Sequence, residues 1–213
     1  MFGFSSLIEI IITGKKENFK RYGKGWSFFL LKIYGVKLEI IYDKNFDQSK
    51  NFIFCPNHSS LIDIPVVFKS IDQYIVFLYK KELSRIPIFK TILDFAGFFY
   101  VDRSNSESAK KSMNLLLHDL KTTPRSVVIF PEGTRSKKGN LIDFKKGAAV
   151  FSLNSGLPII PVAIIGGRNW WETKKVKVIF GKEINTENFN YEHRIIITEK
   201  IKNRIQTLLE KYC

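Results

Sequence analysis

The feature that most constrains this chain is the alternation of short apolar runs with longer stretches of helical periodicity. Residues 36–42, 51–56, 74–79, 98–101, 126–130, 159–165 and 176–180 read as strands. Between them, residues 60–70, 88–97, 106–121, 146–155 and 195–212 read as helices, with Met113, Leu116, Leu117 and Leu120 on one face of the third. Strands alternating with helices imply an α/β fold with helices on the faces of the sheet. The expectation is a single domain over residues 36–213, built on a mixed, largely parallel central sheet flanked by helices. The chain has 213 residues, enough to bury a sizeable core.

Residues 1–35 read differently. Phe4, Leu7, Ile8 and Ile11 fall at i, i+3, i+4, i+7, and Trp26, Phe29, Leu30 and Ile33 repeat that spacing. Between the two stretches lie Gly14, Lys15, Lys16, Lys20, Arg21 and Lys24. Two amphipathic helices joined by a basic linker predict an interfacial membrane-binding element, with cations at lipid phosphates and aromatic rings in the acyl boundary. Two ordinary helices covering a core are the alternative, above all for the second. The apolar stretch 1–12 lacks a basic leader and a small-residue cleavage site, so a signal peptide is not expected. It also falls short of the roughly twenty residues that a spanning helix needs. The expected placement is peripheral or monotopic, on the cytoplasmic face of the inner membrane.

Charge and cysteine usage narrow the function. The formal net charge is +14, which favours a polyanionic partner: nucleic acid, an anionic membrane surface or a phosphorylated substrate. Nineteen phenylalanines favour lipid over base edges, and no zinc finger or RNA-recognition signature supports nucleic acid. Cys55 and Cys213 form no CxxC pair, so neither a disulfide framework nor a zinc site is expected. The sequence calls for no metal and no cofactor.

Polar clusters follow the strands directly, where open α/β sheets bind ligands. After the run 52–55 comes Asn57-His58-Ser59-Ser60-Leu61-Ile62-Asp63. Asp63, about one turn into the next helix, is placed to fold back and accept the Nδ1 proton of His58. That leaves Nε2 free to take a proton from a hydroxyl, as a general base does. A helix capping box over Ser60–Asp63 explains the same residues structurally. Gly97-Phe98-Phe99-Tyr100-Val101-Asp102-Arg103 offers Arg103 as a forked phosphate ligand, or as half of a structural pair with Asp102. In Phe130-Pro131-Glu132-Gly133-Thr134-Arg135-Ser136, Gly133 permits a tight turn, Arg135 is a second phosphate ligand, and Glu132 is suited to a glycerol hydroxyl or an arginine. The apolar strand at 156–163 suits an acyl-chain wall or simply the core.

Taken in order, His-x4-Asp at 58–63, Gly-x4-Asp-Arg ending at Arg103, the Phe-Pro-Glu-Gly-Thr-Arg-Ser run at 130–136 and the proline-bearing strand at 156–161 resemble the glycerolipid acyltransferase superfamily. Within it they look most like the bacterial 1-acylglycerol-3-phosphate acyltransferases, over about residues 50–165. The resemblance implies a catalytic dyad of His58 and Asp63. It implies substrate binding by Lys80, Arg103, Glu132 and Arg135, with Gly133 and Thr134 shaping the loop. It further implies a lysophospholipid acceptor and an acyl-CoA or acyl-carrier-protein donor. Tyr79 and Tyr100 stand where smaller or aliphatic residues are commoner in the family. The rival enzymatic reading is a hydrolase using Ser59 or Ser60, although no G-x-S-x-G elbow is present.

Overall fold

The computed structural model describes residues 2–102 and 105–213. Helices α1 (Phe2–Thr13) and α2 (Phe19–Ile33) come first. Then follow β1 (Lys37–Tyr42), β2 (Ile53–Pro56), α3 (Asp63–Ser70), β3 (Ile75–Lys80), α4 (Pro87–Phe95) and β4 (Phe99–Val101). The chain continues through α5 (Ser106–Thr122), β5 (Ser126–Val128), α6 (Gly147–Ser155), β6 (Ile159–Ile165), a short α7 (Trp170–Thr173), β7 (Lys175–Phe180) and α8 (Arg194–Tyr212).

The strands form one seven-stranded sheet in the order β1-β7-β6-β2-β5-β3-β4. Every neighbouring pair is parallel except β6–β7. The sheet is therefore mixed and largely parallel, as expected. The sequence accounts for the layout. Parallel neighbours need long crossovers, which the helices supply, whereas the antiparallel β6–β7 pair needs only the short segment carrying α7. β2, β5 and all but the end of β6 are buried on both faces, so their sequences run apolar without alternation. At one edge, β1 exposes Lys37 and Glu39, and an edge strand carrying charge resists pairing with a second chain.

α8 covers the sheet with Ile197, Ile201, Ile205 and Leu208, one stripe at helical spacing. α5 starts where Asn105 accepts the backbone N–H groups of Glu107 and Ser108, both at 3.0 Å. It leads to the fully buried Arg125, whose guanidinium meets Asp119, the Thr123 carbonyl at 2.8 Å and the Gly97 carbonyl at 3.1 Å. Gly97 has φ +71° and would press a Cβ to 3.1 Å from that guanidinium, so its place in the second motif is structural.

The first two helices form as expected, but α2 turns a different stripe inward. Phe19, Gly23, Ser27 and Leu31 are buried, and a Cβ on Gly23 would sit 3.0 Å from the Phe68 ring of α3. Trp26 leans edge-on against Phe68, whereas Phe28, Phe29 and Ile33 are exposed. Part of the linker charge is spent within the chain. Arg21, Tyr22 and Asn18 converge on Glu9 at 2.6, 2.5 and 3.0 Å, Lys24 pairs with Asp72, and Lys16 reaches Asp119 at 3.5 Å. Among the described residues no helix is long and apolar enough to cross a membrane.

Candidate active site

The parallel block β6-β2-β5-β3-β4 presents all its carboxyl ends along one edge, and the sequence clusters gather there. From one side to the other the edge carries Gly166 and Gly167 after β6, His58 after β2, the 130–136 loop after β5, Lys80 at the end of β3 and Asp102 after β4. Strands about 4.8 Å apart put the end of β3 roughly 10 Å from that of β2.

His58 and Asp63 meet as the spacing suggested. Nδ1 of His58 lies 2.8 Å from Oδ2 of Asp63, which is fully buried. The same oxygen accepts the backbone N–H groups of Ser59 at 2.7 Å and Ser60 at 2.8 Å. A carboxylate only accepts, so the pair holds a proton on Nδ1, and in the neutral imidazole Nε2 then keeps its lone pair. No described group hydrogen-bonds Nε2. Asp63 opens α3 at its first position rather than sitting a turn inside it, because residues 60–62 form a tighter lead-in turn. The Ser60 N–H to Asp63 contact is half of a capping box, so the structural and chemical readings of this motif coexist on one oxygen.

Glu132 ties the third motif to the first. Its Oε1 accepts the His58 backbone N–H at 2.7 Å, and the His58 carbonyl accepts the Ser136 N–H at 2.8 Å. The strand expected over 126–130 ends at Val128; Ile129 still donates to the Phe54 carbonyl, then Phe130 turns to stack on the His58 ring at 4.2 Å between centroids. Glu132 therefore braces the histidine loop. Burial pushes its carboxyl above the usual glutamate range, opposed by the backbone N–H groups of His58 and Ile142. A raised folded pKa gives stability that is present below the ordinary value and is lost as pH rises through the raised one. The melting temperature of the native chain, relative to the non-titrating Glu132→Gln variant, is thus expected to fall as pH climbs above the usual glutamate range, then level off. A relative stability that rises over that window contradicts the assignment.

The remaining expected residues take other positions. Gly133 has φ +67°, the left-handed turn expected of it. A Cβ there would lie 2.9 Å from Cε and 3.3 Å from Nζ of Lys145, so the glycine makes room for a cation that the motifs did not flag. Thr134 and Arg135 are exposed at the tip of the loop. Lys80 is exposed, with Nζ turned 3.1 Å from Glu82. Arg103 lies outside the described residues.

Two supports of the site were not read from sequence. Asn57 clamps the end of β2 to β6: its Nδ2 donates to the Ile164 carbonyl at 3.1 Å and its Oδ1 accepts the Ile164 N–H at 2.7 Å. Gly167 lies flat against the dyad, where a Cβ would fall 2.4 Å from Asp63 Oδ1 and 3.2 Å from Ser59 Oγ. The paired glycines after the buried run 159–165 were the available signal. Gly167→Ala has to displace Asp63, and a misplacement near 1 Å costs about 10²-fold in rate. A drop of that order in kcat is expected, with a lowered melting temperature because a buried, hydrogen-bonded carboxylate has to shift. A native turnover number in this variant shows that the carboxylate does not need its present seat.

The serines beside the imidazole do not engage it. Ser60 Oγ accepts the Ile62 N–H at 3.4 Å, and neither Ser59 nor Ser60 is hydrogen-bonded to the imidazole through its hydroxyl. Cys55 is buried, and burial pushes its thiol far above the range in which it would ionise.

The site is thus a histidine paired with a buried carboxylate on the carboxyl edge of an α/β sheet, its loop braced by a buried glutamate. The chain belongs to the acyltransferase family, whose model, described as "Acyltransferase", matches residues 37–165. It is 33% identical over 157 residues to a 1-acyl-sn-glycerol-3-phosphate acyltransferase of Cocos nucifera, covering 74% of this chain and 50% of that protein. It is 30% identical over 156 residues to the protein of the same name from Haemophilus influenzae, covering 71% of this chain and 65% of the relative. The chain thus spans about half to two thirds of the length of the curated relatives it matches. The fold is shared with the crystal structure of the 1-acyl-sn-glycerophosphate acyltransferase from Thermotoga maritima, at a TM-score of 0.80 and 21% identity over 99% of this chain and 88% of that one.

Proposed function

We propose that this chain transfers a fatty acyl group from an acyl thioester, carried by coenzyme A or acyl carrier protein, to the sn-2 hydroxyl of 1-acylglycerol 3-phosphate, giving phosphatidic acid. One observation carries the reading: a His58–Asp63 pair whose Nε2 is unengaged, held at the sheet edge by Glu132. The names of the Cocos nucifera and Haemophilus influenzae relatives agree with it.

In this reading His58 Nε2 removes the proton of the acceptor hydroxyl as its oxygen attacks the thioester carbonyl. The C–S bond breaks, and the leaving thiolate takes the proton from the His58 imidazolium, which restores the base. Asp63 stabilises the imidazolium that forms. Lys80, Arg103, Arg135 and Lys145 form the cationic surround for the acceptor phosphate, since phosphate favours several charge-assisted donors. No cofactor enters the scheme. Helices α1 and α2 rest on the cytoplasmic face of an anionic membrane through Ile8, Ile11, Ile12, Phe28 and Phe29, all exposed.

The reading is tested by incubating the chain in detergent with lysophosphatidic acid and a labelled acyl thioester, offered once on coenzyme A and once on acyl carrier protein. Labelled phosphatidic acid is the expected product. Label appearing in free fatty acid alone, with either donor, overturns the transfer reading.

A further inference from the structure

We propose that the turn 81–85 and α4 form a second lipid-inserting face, which seats the mouth of the site on an anionic phospholipid bilayer. This deepens the proposed function and rests on it.

α4 is apolar on two sides. Ile92 and Leu93 pack against the core, whereas Leu83, Ile86, Ile88 and Phe95 are exposed by 39%, 53%, 68% and 43%. Ile88 and Phe95 are seven residues apart, two helical turns, and so share a face. A globular chain gains nothing from an aliphatic row in water; such a row marks a contact surface. The segment leaves the sheet at the carboxyl end of β3, directly after Lys80, which puts Ile86 and Ile88 beside the edge that carries the dyad. α1 packs against α4, so its exposed Ile8, Ile11 and Ile12 extend the apolar surface.

The charges distinguish a bilayer from a protein partner. Outside the site itself, Lys81 and Lys90 beside the aliphatic row are paired with Asp102 and Asp94, which leaves few free cations there for the carboxylates of an acidic carrier protein. Arg85 and the overall charge of +14 supply the long-range attraction to an anionic surface, and the aliphatic tips supply insertion. A lysolipid acceptor then reaches His58 from the acyl boundary without crossing water.

The test compares the native chain with Ile86→Glu/Ile88→Glu on phosphatidylcholine vesicles with and without phosphatidylglycerol, alongside turnover of a short-chain, monomeric lysophosphatidic acid. Vesicle affinity is expected to fall roughly tenfold or more, with turnover of the monomeric acceptor and the melting temperature unchanged. If the double variant melts early, Ile88→Glu alone, at the most exposed of the four, takes its place. Undiminished vesicle binding overturns the proposal, and so does a defect confined to reactions fed by acyl carrier protein, which would make the face a protein dock. Failure of the native chain to turn over the monomeric acceptor sinks the proposed function instead, and leaves the vesicle result to be read alone.

Discussion

His58→Ala is expected to lower kcat by about 10²–10⁴-fold, the range that a positioned general base supplies. KM for the acceptor should stay within about threefold, because the imidazole acts on the reacting proton rather than on the phosphate. The fold should survive, for a reason visible in the contacts. The loop is held by the backbone of His58, whose N–H bonds Glu132 and whose carbonyl accepts from Ser136. Truncating the ring removes the stack on Phe130 but none of those bonds. Steady-state kinetics beside a thermal melt check this. A variant that keeps native turnover removes His58 from the chemistry, and one that unfolds shows that the ring, not the backbone, ties the loop.

Asp63→Ala should damage both activity and stability. Oδ2 is the shared acceptor for His58 Nδ1 and for the N–H groups of Ser59 and Ser60. Removing it strands the buried His58 donor at a cost of about 1–3 kcal/mol and leaves the part-buried N–H groups of Ser59 and Ser60 to water. For a chain of this size that corresponds to a fall in melting temperature of roughly 3–10 °C. The imidazole loses both its tautomer and the stabilisation of its protonated form, so a kcat loss of about 10²–10⁴-fold is expected. Asp63→Asn separates the two effects. Its amide oxygen still accepts the three donors, so most stability returns, while the charge that favours the imidazolium is gone and the rate stays low. Recovery of the rate in Asp63→Asn refutes an electrostatic role for the carboxylate.

The sequence made the fold legible because its signals are local. Fully buried strands such as Ile159–Ile165 have to be uninterrupted apolar runs, and the α5 and α8 stripes repeat at helical spacing. The dyad was legible because its two members are five residues apart. What stayed hidden depends on contacts between distant residues. Glu132 grips a backbone N–H 74 residues away, and Asn57 clamps Ile164 across 107. No motif reveals that Gly167 must lack a side chain because Asp63 lies against it. The same limit explains α2: its apolar residues surround most of the helix, so periodicity alone could not tell which stripe would meet α3. It also explains why the pairing of Arg21 with Glu9 and of Lys24 with Asp72 was not read, since each partner lies in another segment of the chain.

The central claim is that the acceptor hydroxyl attacks the thioester directly, with His58 as its base. The measurement that meets it most squarely is the intact mass of the chain after mixing with a labelled acyl thioester, first without and then with lysophosphatidic acid. The account expects an unchanged protein mass and an intact thioester until the acceptor is added, and label in phosphatidic acid thereafter. A chain heavier by one acyl group before the acceptor arrives, or release of free fatty acid without it, would contradict direct attack and place the nucleophile on the protein or on water.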